Sequence, residues 1–171
     1  EATVDLIGFG AVTREDEVFR VGSRAARGRV SKEQIRPLVA GEDLRDWGQG
    51  DPVPKMWPYS AATLSSLIDG TVTRLLWPWK RQLSNRVAYG KTQLDRKLNW
   101  WEYSMFFADR FRTPLSIGFA FVATHNHFVL DRGGKVFNRT APVIKLDENA
   151  TVDDHLGLLG LLNSAVACFW M

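Results

Sequence analysis

Apolar positions near the C-terminal end of the chain recur with the period of an α-helix. Five of them are separated by three, three, four and three residues: Leu156, Leu159, Leu162, Val166 and Phe169. That spacing places them on one face of a helix. Thr151 and Asp154 stand three residues apart just before it, as an N-cap residue and its capping-box partner do. We therefore expect an amphipathic helix that begins at Thr151.

Shorter apolar runs, rich in β-branched and aromatic residues, predict strands. The predicted strands are residues 4–9, 18–21, 117–123, 128–130, 136–137 and 142–146. The first two are expected to form a hairpin through the acidic stretch 14–17. Residues 128–137 are expected to form a second hairpin, because Gly133 and Gly134 can adopt the positive φ angles of a tight turn.

Further helices are predicted in the first two thirds of the chain. Ser31 and Gln34 have capping-box spacing before a stripe of Ile35, Leu38 and Val39. A short helix is expected from Ser60, and Pro78 suits the first turn of the next one. A third helix is predicted over residues 100–111, and the glycines and prolines of residues 47–58 predict a loop. Together these elements predict an α+β fold, with a mixed, mainly antiparallel sheet and several packed helices.

The 171 residues fit one domain, which we expect to span residues 1–171. Its predicted sections are an N-terminal hairpin and helix (1–46), a loop and a basic, aromatic helical part (47–116), and strands, a hairpin and the C-terminal helix (117–171). The chain begins with Glu1 and ends within an apolar run, so we expect it to be a fragment of a longer protein. Cys168 is the single cysteine, which fits a cytoplasmic location. The apolar runs are too short for a membrane partner to be expected.

The net charge of +3 is distributed unevenly, and the middle section of the chain is basic. Residues 74–112 carry nine Lys/Arg and three Asp/Glu, whereas the flanking sections are slightly acidic. Basic side chains mixed with tryptophan and tyrosine are typical of surfaces that bind nucleic acid, since phosphates supply negative charge and bases supply flat faces. The candidate phosphate-binding residues are Arg74, Lys80, Arg81, Arg86, Lys91, Arg96 and Lys97. The alternative is a solvated helix face that only keeps the domain soluble.

Common catalytic and metal-binding motifs are absent from the sequence. Three histidines and one cysteine do not form a zinc pattern, and no P-loop, GxSxG or HExxH motif is present. The run His125-Asn126-His127 is not the dispersed signature of HNH nucleases. The Asn/Asp-Pro-Pro-Tyr/Phe signature of enzymes that methylate amino groups is also missing. We therefore predict no catalytic residue and no metal site in this chain.

Several blocks in order along the chain nevertheless resemble a known family. Residues 35–44, Ile-Arg-Pro-Leu-Val-Ala-Gly-Glu-Asp-Leu, resemble a segment of the TaqI-type specificity domain, which recognises the target in adenine-specific DNA methyltransferases and in fused restriction–modification enzymes. Blocks that also resemble it are residues 7–21, 79–86, 100–103, 128–131 and 158–164. Residues 76–79 and 123–135 are most similar to the methyltransferases of bacterial BREX phage-exclusion systems.

This resemblance implies a recognition module. The parent protein would methylate the N6 position of adenine, and S-adenosylmethionine would bind its missing catalytic domain rather than this fragment. The implied partners are double-stranded DNA, the protein's own N-terminal methyltransferase domain and other phage-defence proteins.

Base-reading side chains are expected near strand ends and turns, where ordered polar groups can reach base edges. The candidates are Asn126, His127, Arg132, Asn138 and Arg139. The alternative for each is turn chemistry or a surface charge. Trp77, Trp79, Trp100 and Trp101 are expected in the core, because large aromatic side chains usually serve burial.

Two other functions remain open at the sequence level. The chain could be the recognition part of a fused restriction endonuclease–methyltransferase, which a nuclease motif in the missing sequence would decide. It could also be a protein-interaction module of a defence complex with no DNA role of its own.

Overall fold

The computed structural model describes residues 3–22, 28–45 and 47–170. The strands in this part are β1 Val4–Gly8, β2 Ala11–Val12, β3 Ile35–Val39, β4 Leu44–Arg45, β5 Gly48–Gln49, β6 Val53–Met56, β7 Val87–Ala88, β8 Lys91–Thr92, β9 Met105–Phe106, β10 Ser116–Phe119, β11 Phe128–Asp131, β12 Val136–Phe137 and β13 Val143–Leu146. The α-helices are α1 Gly70–Leu76, α2 Lys80–Ser84, α3 Val152–Leu162 and α4 Ala165–Trp170. Helices combined with mainly antiparallel strands confirm the α+β prediction.

The chain forms two compact units, each assembled from separate segments. The first unit contains Glu1–Gly10, Leu38–Pro52 and Phe107–Met171, and the second contains Ala11–Pro37 and Val53–Phe106. These boundaries do not coincide with the three consecutive sections expected from the sequence. A single recognition domain over residues 1–171 remains a prediction.

The first unit is organised by a four-stranded antiparallel sheet in the order β1-β13-β10-β11. Successive residues of a strand face opposite sides, and each side of this sheet carries an apolar cluster. Ile117 lies in a cluster with Phe128, Ile144 and Leu159 of α3. The other side of the sheet packs against a second cluster: Val39, Leu44, Val129, Phe137, Ala141 and Val143. The sheet thus separates two small cores.

α3 begins as the sequence predicts. The Thr151 Oγ1 accepts a hydrogen bond from the Asp154 amide at 3.2 Å, and Asp154 Oδ2 accepts one from the Thr151 amide at 2.8 Å. The predicted apolar stripe is only partly buried: Leu156 is exposed within the helix, and the helix ends at Leu162, before the last two stripe residues. Leu159 is buried, whereas Val166 and Phe169 on α4 are exposed.

The predicted hairpin of residues 128–137 is wrong, although its turn is right. Gly133 and Gly134 have φ angles of 99° and 84°. However, β11 pairs with β10, while β12 pairs in parallel with the Leu38–Val39 end of β3. The turn therefore carries the chain away from the sheet instead of folding it back.

The second unit has an aromatic core. Tyr103 donates its hydroxyl to the Met56 carbonyl at 2.6 Å, and its amide donates to the Tyr59 hydroxyl at 2.9 Å. Phe19 and Trp57 pack edge-on against the Tyr103 ring. Tyr103 is therefore a core residue in a segment between turns, and the helix predicted over residues 100–111 is wrong.

The predicted helix after Ser31 is also wrong. The chain makes one 3₁₀ turn at Lys32–Gln34 and continues as β3. Pro37 lies within that strand. In a helix spanning these residues it would lack an N–H donor and clash with the preceding turn, which explains the extended backbone.

Candidate nucleic-acid interface

The basic helix α2 lies on the surface of the second unit. Asp69 caps the preceding helix α1, because its Oδ1 accepts hydrogen bonds from the Thr71 and Val72 amides at 2.8 Å each. Leu83 anchors α2 in the core. Lys80 and Arg81 remain exposed, and so does Arg74 on α1. Three of the seven predicted phosphate-binding residues thus lie on two consecutive helices.

Trp77 and Trp79 are exposed, against the expectation that they belong to the core. Their exposed fractions are 58% and 47%, whereas Trp100 is buried. The Lys80 ammonium lies 4.5 Å from the centroid of the Trp77 ring and 5.9 Å from that of Trp100. Cation–π attraction at these distances holds the amine above the rings.

A shallow groove of about 430 Å³ runs beside this cluster. Its lining residues are Trp77, Pro78, Lys80, Arg81, Ser84 and Asn85. We call it the Trp77 groove. It combines two cations with an indole ring, and cations together with aromatic rings are typical of surfaces that bind nucleic acid.

Arg86 does not belong to this surface. It is 5% exposed, and its guanidinium donates hydrogen bonds to four backbone carbonyls. The acceptors are the carbonyls of Leu83, Thr13, Trp100 and Glu102, at 2.9, 2.6, 3.0 and 2.6 Å. Burial lowers the pKa of Arg86 to about 10. The structure therefore corrects the placement of Arg86 among the phosphate-binding residues, because the side chain is buried and four of its five N–H donors bind carbonyls inside the unit.

Lys91 stands on the β7–β8 hairpin. Tyr89 and Gly90 form its two-residue turn with φ angles of 54° and 73°. Positive φ at both positions is the geometry of the type I′ hairpin turn. The turn leaves both the Tyr89 ring and Lys91 exposed, so this hairpin presents an aromatic ring and a cation to solvent.

Arg96 and Lys97 follow in the next turn. Lys97 is exposed with a φ of 58°, and Arg96 is half-buried with one guanidinium nitrogen, Nη1, enclosed. The carboxylate of Asp95 lies beside them. Hydrogen bonds from Thr92 lower the pKa of Asp95, and Lys91 lowers it further. Asp95 thus offsets part of the positive charge of this segment.

Four of the five predicted base-reading residues lie at one end of the sheet in the first unit. The loop of residues 120–127 joins β10 to β11, and the turn that contains Asn138 and Arg139 follows β12. The Phe121 amide donates to the Thr140 carbonyl at 2.9 Å. This bond connects the loop that carries Asn126 and His127 with the turn that carries the other two residues.

Arg132 lies away from this group. Ser116 pairs with Asp131 and Phe119 with Phe128 in the β10–β11 ladder. Arg132 follows Asp131, so it stands at the opposite end of the ladder from the 120–127 loop. Arg132 is exposed there, whereas Asp131 is buried and binds Lys135 at 2.6 Å.

The two asparagines use their side chains to hold the backbone. Asn126 Nδ2 donates to the Leu162 carbonyl at 2.8 Å. Asn138 Oδ1 accepts from the Thr140 amide and hydroxyl at 2.9 and 2.8 Å. Asn138 thus makes the turn contacts that were the alternative to base reading, whereas Asn126 connects its loop to the last residue of α3. Arg139 is exposed and His127 is half-buried.

The sequence did not predict that Phe121 and Val122 are exposed, because residues 117–123 are predicted as one buried strand. β10 ends at Phe119, and Phe121 and Val122 are 70% and 87% exposed. The sequence signal was available in Thr124-His125-Asn126, a polar run that indicates a loop close behind them.

The described ranges contain no group of three or more His, Cys, Asp or Glu side chains that could hold a metal ion. Within the same ranges, none of the helices has the length and apolar character needed to span a membrane.

The chain is similar to a segment of a larger enzyme. It is 40% identical over 169 residues to the adenine-specific methyltransferase PglX of Streptomyces coelicolor. The alignment covers 96% of this chain and 14% of that protein, so the chain corresponds to a small part of its relative. No protein-family model matches the chain.

Proposed function

We propose that this chain is the DNA target-recognition part of an adenine-specific DNA methyltransferase of the TaqI-type specificity class. The observation that carries the proposal is the 40% identity, along nearly the whole chain, to a segment of an adenine-specific methyltransferase. The exposed cations and aromatic rings of the second unit support a nucleic-acid partner.

Base methylation requires separate parts of the protein for catalysis and for recognition of the DNA sequence. An enzyme that modifies a base must move it out of the duplex into a pocket, and a separate surface must hold and read the flanking sequence. In our proposal the catalytic domain binds S-adenosylmethionine and transfers the methyl group to N6 of adenine. The parent protein acts in the bacterial cytoplasm, where methylation marks host DNA in phage exclusion.

Within this chain, the second unit supplies phosphate contacts. Lys80 and Arg81 line the Trp77 groove, and the described residues form no ion pair with either of them. Contacts to phosphates fix the register of a protein on DNA without reading sequence. Arg139 and His127 near the 120–127 loop, and Arg132 at the opposite end of the β10–β11 ladder, are candidates for base contacts in the first unit.

The test is a gel-shift titration of a random-sequence duplex at about 50 and 200 mM salt. The variant K80Q/R81Q removes two cations of the groove. If each contacts one phosphate, the slope of log affinity against log salt becomes shallower by about 2, and the affinity at low salt falls.

A charge-matched variant provides the control. R20Q/R112Q also removes two cations, but Arg20 and Arg112 are already paired with Glu17 and Asp109 at 3.4 and 2.9 Å. We expect its slope to stay close to that of the wild type. Equal slopes for wild type and K80Q/R81Q would contradict the assignment of the groove. A wild type that does not bind DNA would favour the protein-interaction function instead.

A further inference from the structure

The tip of the β7–β8 hairpin carries an aromatic residue where the backbone favours a different type. Tyr89 and Gly90 form the two-residue turn, and Tyr89 has a φ of 54°. A bulky side chain in the left-handed region is strained, and asparagine before glycine is the preferred pair in this turn. A strained residue that folding alone would replace indicates a function for its side chain.

Packing of the Tyr89 side chain does not offset this strain. The residue is 75% exposed. Its hydroxyl donates to the Met105 sulfur at 3.9 Å, and a thioether is a weak acceptor. A ligand with an oxygen or nitrogen acceptor offers the hydroxyl a better partner, so both the ring and the hydroxyl are open to binding.

The charge of the unit that carries the hairpin selects the kind of ligand. The segments of the second unit contain 15 Lys/Arg and 7 Asp/Glu, a net charge of +8, whereas those of the first unit contain 7 and 12, a net charge of −5. The positive charge of the whole chain thus belongs to the second unit. A strongly basic unit attracts a polyanion, and double-stranded DNA is the polyanion of the proposed function.

The hairpin is held from its base and has cations beside its tip. Gln93, directly after β8, is buried, and its Nε2 donates to the Asn99 and Glu102 carbonyls at 3.2 Å each. Lys91 is exposed next to the turn, and Lys97 is exposed in the turn that follows β8. A two-stranded ribbon of this kind fits the major groove of DNA, which is about 12 Å wide.

We propose that the β7–β8 hairpin enters the major groove of the bound duplex, with Tyr89 against the base edges and Lys91 and Lys97 on the flanking phosphates. The proposal rests on the proposed function and adds a base-reading residue that the sequence did not indicate. The ring contacts a thymine methyl group, and the hydroxyl binds an acceptor on a base edge. Tyr89 therefore contributes specificity, while the two lysines fix the register.

The experiment compares two duplexes, one recovered from a random-sequence pool by the wild-type chain and one with the same bases scrambled. Y89N removes the ring and places the preferred residue in the turn, so the melting temperature of the protein should rise. Its affinity for the recovered duplex should fall at least about fivefold, while its affinity for the scrambled duplex stays the same. The salt dependence should not change, because no cation is removed.

W47N is the matched control. Trp47 lies in the β4–β5 turn with a φ of 68° and is 57% exposed, but it belongs to the acidic unit. W47N thus also removes an exposed ring from a left-handed turn position, and both affinities should stay unchanged. K91Q should weaken binding to both duplexes alike and lower the salt slope by about one.

The outcomes separate the failure of this assignment from that of the proposed function. An undiminished affinity of Y89N for the recovered duplex, or an equal loss on both duplexes, would overturn the role of Tyr89 alone. The same holds for a wild-type chain that binds DNA without preferring any sequence, and for W47N losing as much affinity as Y89N. If the wild type binds neither duplex, the proposed function fails and the hairpin assignment fails with it.

Discussion

Several cationic side chains of this protein bind backbone carbonyls inside its units. Arg86 is the clearest case, with its four carbonyl partners. Lys55 donates to the Asp16 carbonyl at 2.6 Å, and Lys145 to the Thr113 and Leu115 carbonyls at 2.5 and 2.9 Å. Burial lowers the pKa of Lys145 to about 8, because a charged amine is costly away from water. A basic residue in the sequence thus does not always contribute positive charge to the protein surface.

Replacement of Arg86 by methionine tests this structural role. R86M leaves buried carbonyls of the second unit without donors, and each such group costs about 1–3 kcal/mol. We expect the free energy of unfolding, measured in urea, to fall by about 3 kcal/mol or more. The control is R81M, which changes an exposed arginine and should stay within about 0.5 kcal/mol of the wild type. A stable R86M with reduced DNA affinity would contradict the buried assignment.

At the scale of elements, β10 organises the first unit because it has a neighbour on each edge and a core on each face. Gly118 permits the close approach of Phe137. A Cβ atom at this position would lie 2.7 Å from the Phe137 ring, which is too close for real carbon atoms. The glycine is required by packing in the middle of a strand, a position where glycine is otherwise unfavourable.

Two glycine-to-alanine variants should therefore change stability in opposite directions. G118A forces the Phe137 ring to move, and overpacking of this kind costs about 1–3 kcal/mol. G157A lies within α3, where a Cβ meets no atom within 4 Å, and it should stabilise by roughly 0.5–1 kcal/mol. Thermal and urea unfolding measure both effects. Equal changes in the two variants would show that packing against Phe137 is not the reason for Gly118.

At the scale of the whole molecule, the chain corresponds to 14% of its relative. We predict no catalytic residue in it, so under the proposed function it contributes binding energy while the methyl transfer takes place elsewhere in the parent protein. Interactions made equally with substrate and transition state lower KM without changing kcat. Phosphate contacts far from the reacting adenine belong to that class.

The parent protein that carries K80Q/R81Q should accordingly show a higher KM for duplex DNA and an unchanged kcat. Steady-state methyl transfer at two salt concentrations measures this, with R20Q/R112Q as the charge-matched comparison. A lower kcat at saturating DNA would place Lys80 or Arg81 in the catalytic step and contradict the proposed role.

Some elements could be predicted from local sequence alone. The capping box of Thr151 and Asp154, the positive φ angles of Gly133 and Gly134, and the strand at Val143–Leu146 all depend on neighbours within a few residues. Capping, turn geometry and strand propensity act over that range. Such predictions were therefore confirmed.

The candidate site was harder to predict. Lys80 and Arg81 lie on the surface as expected, but Trp77 and Trp79 do so against expectation, and Arg86 is inside. A tryptophan or an arginine is compatible with both environments, since each carries an apolar body and a polar tip. Their burial depends on which distant segments pack beside them.

By itself, the sequence determined the α+β class, the beginning of α3, the turn at Gly133-Gly134 and the basic character of the middle section. Only the tertiary structure decided that β12 pairs with β3 rather than with β11, that Arg86 binds carbonyls, and that Phe121 and Val122 stand in water. The reason is how far apart in the sequence the interacting residues are. Caps and turns are stabilised by adjacent residues, whereas strand partners and burial depend on contacts between residues far apart in the chain.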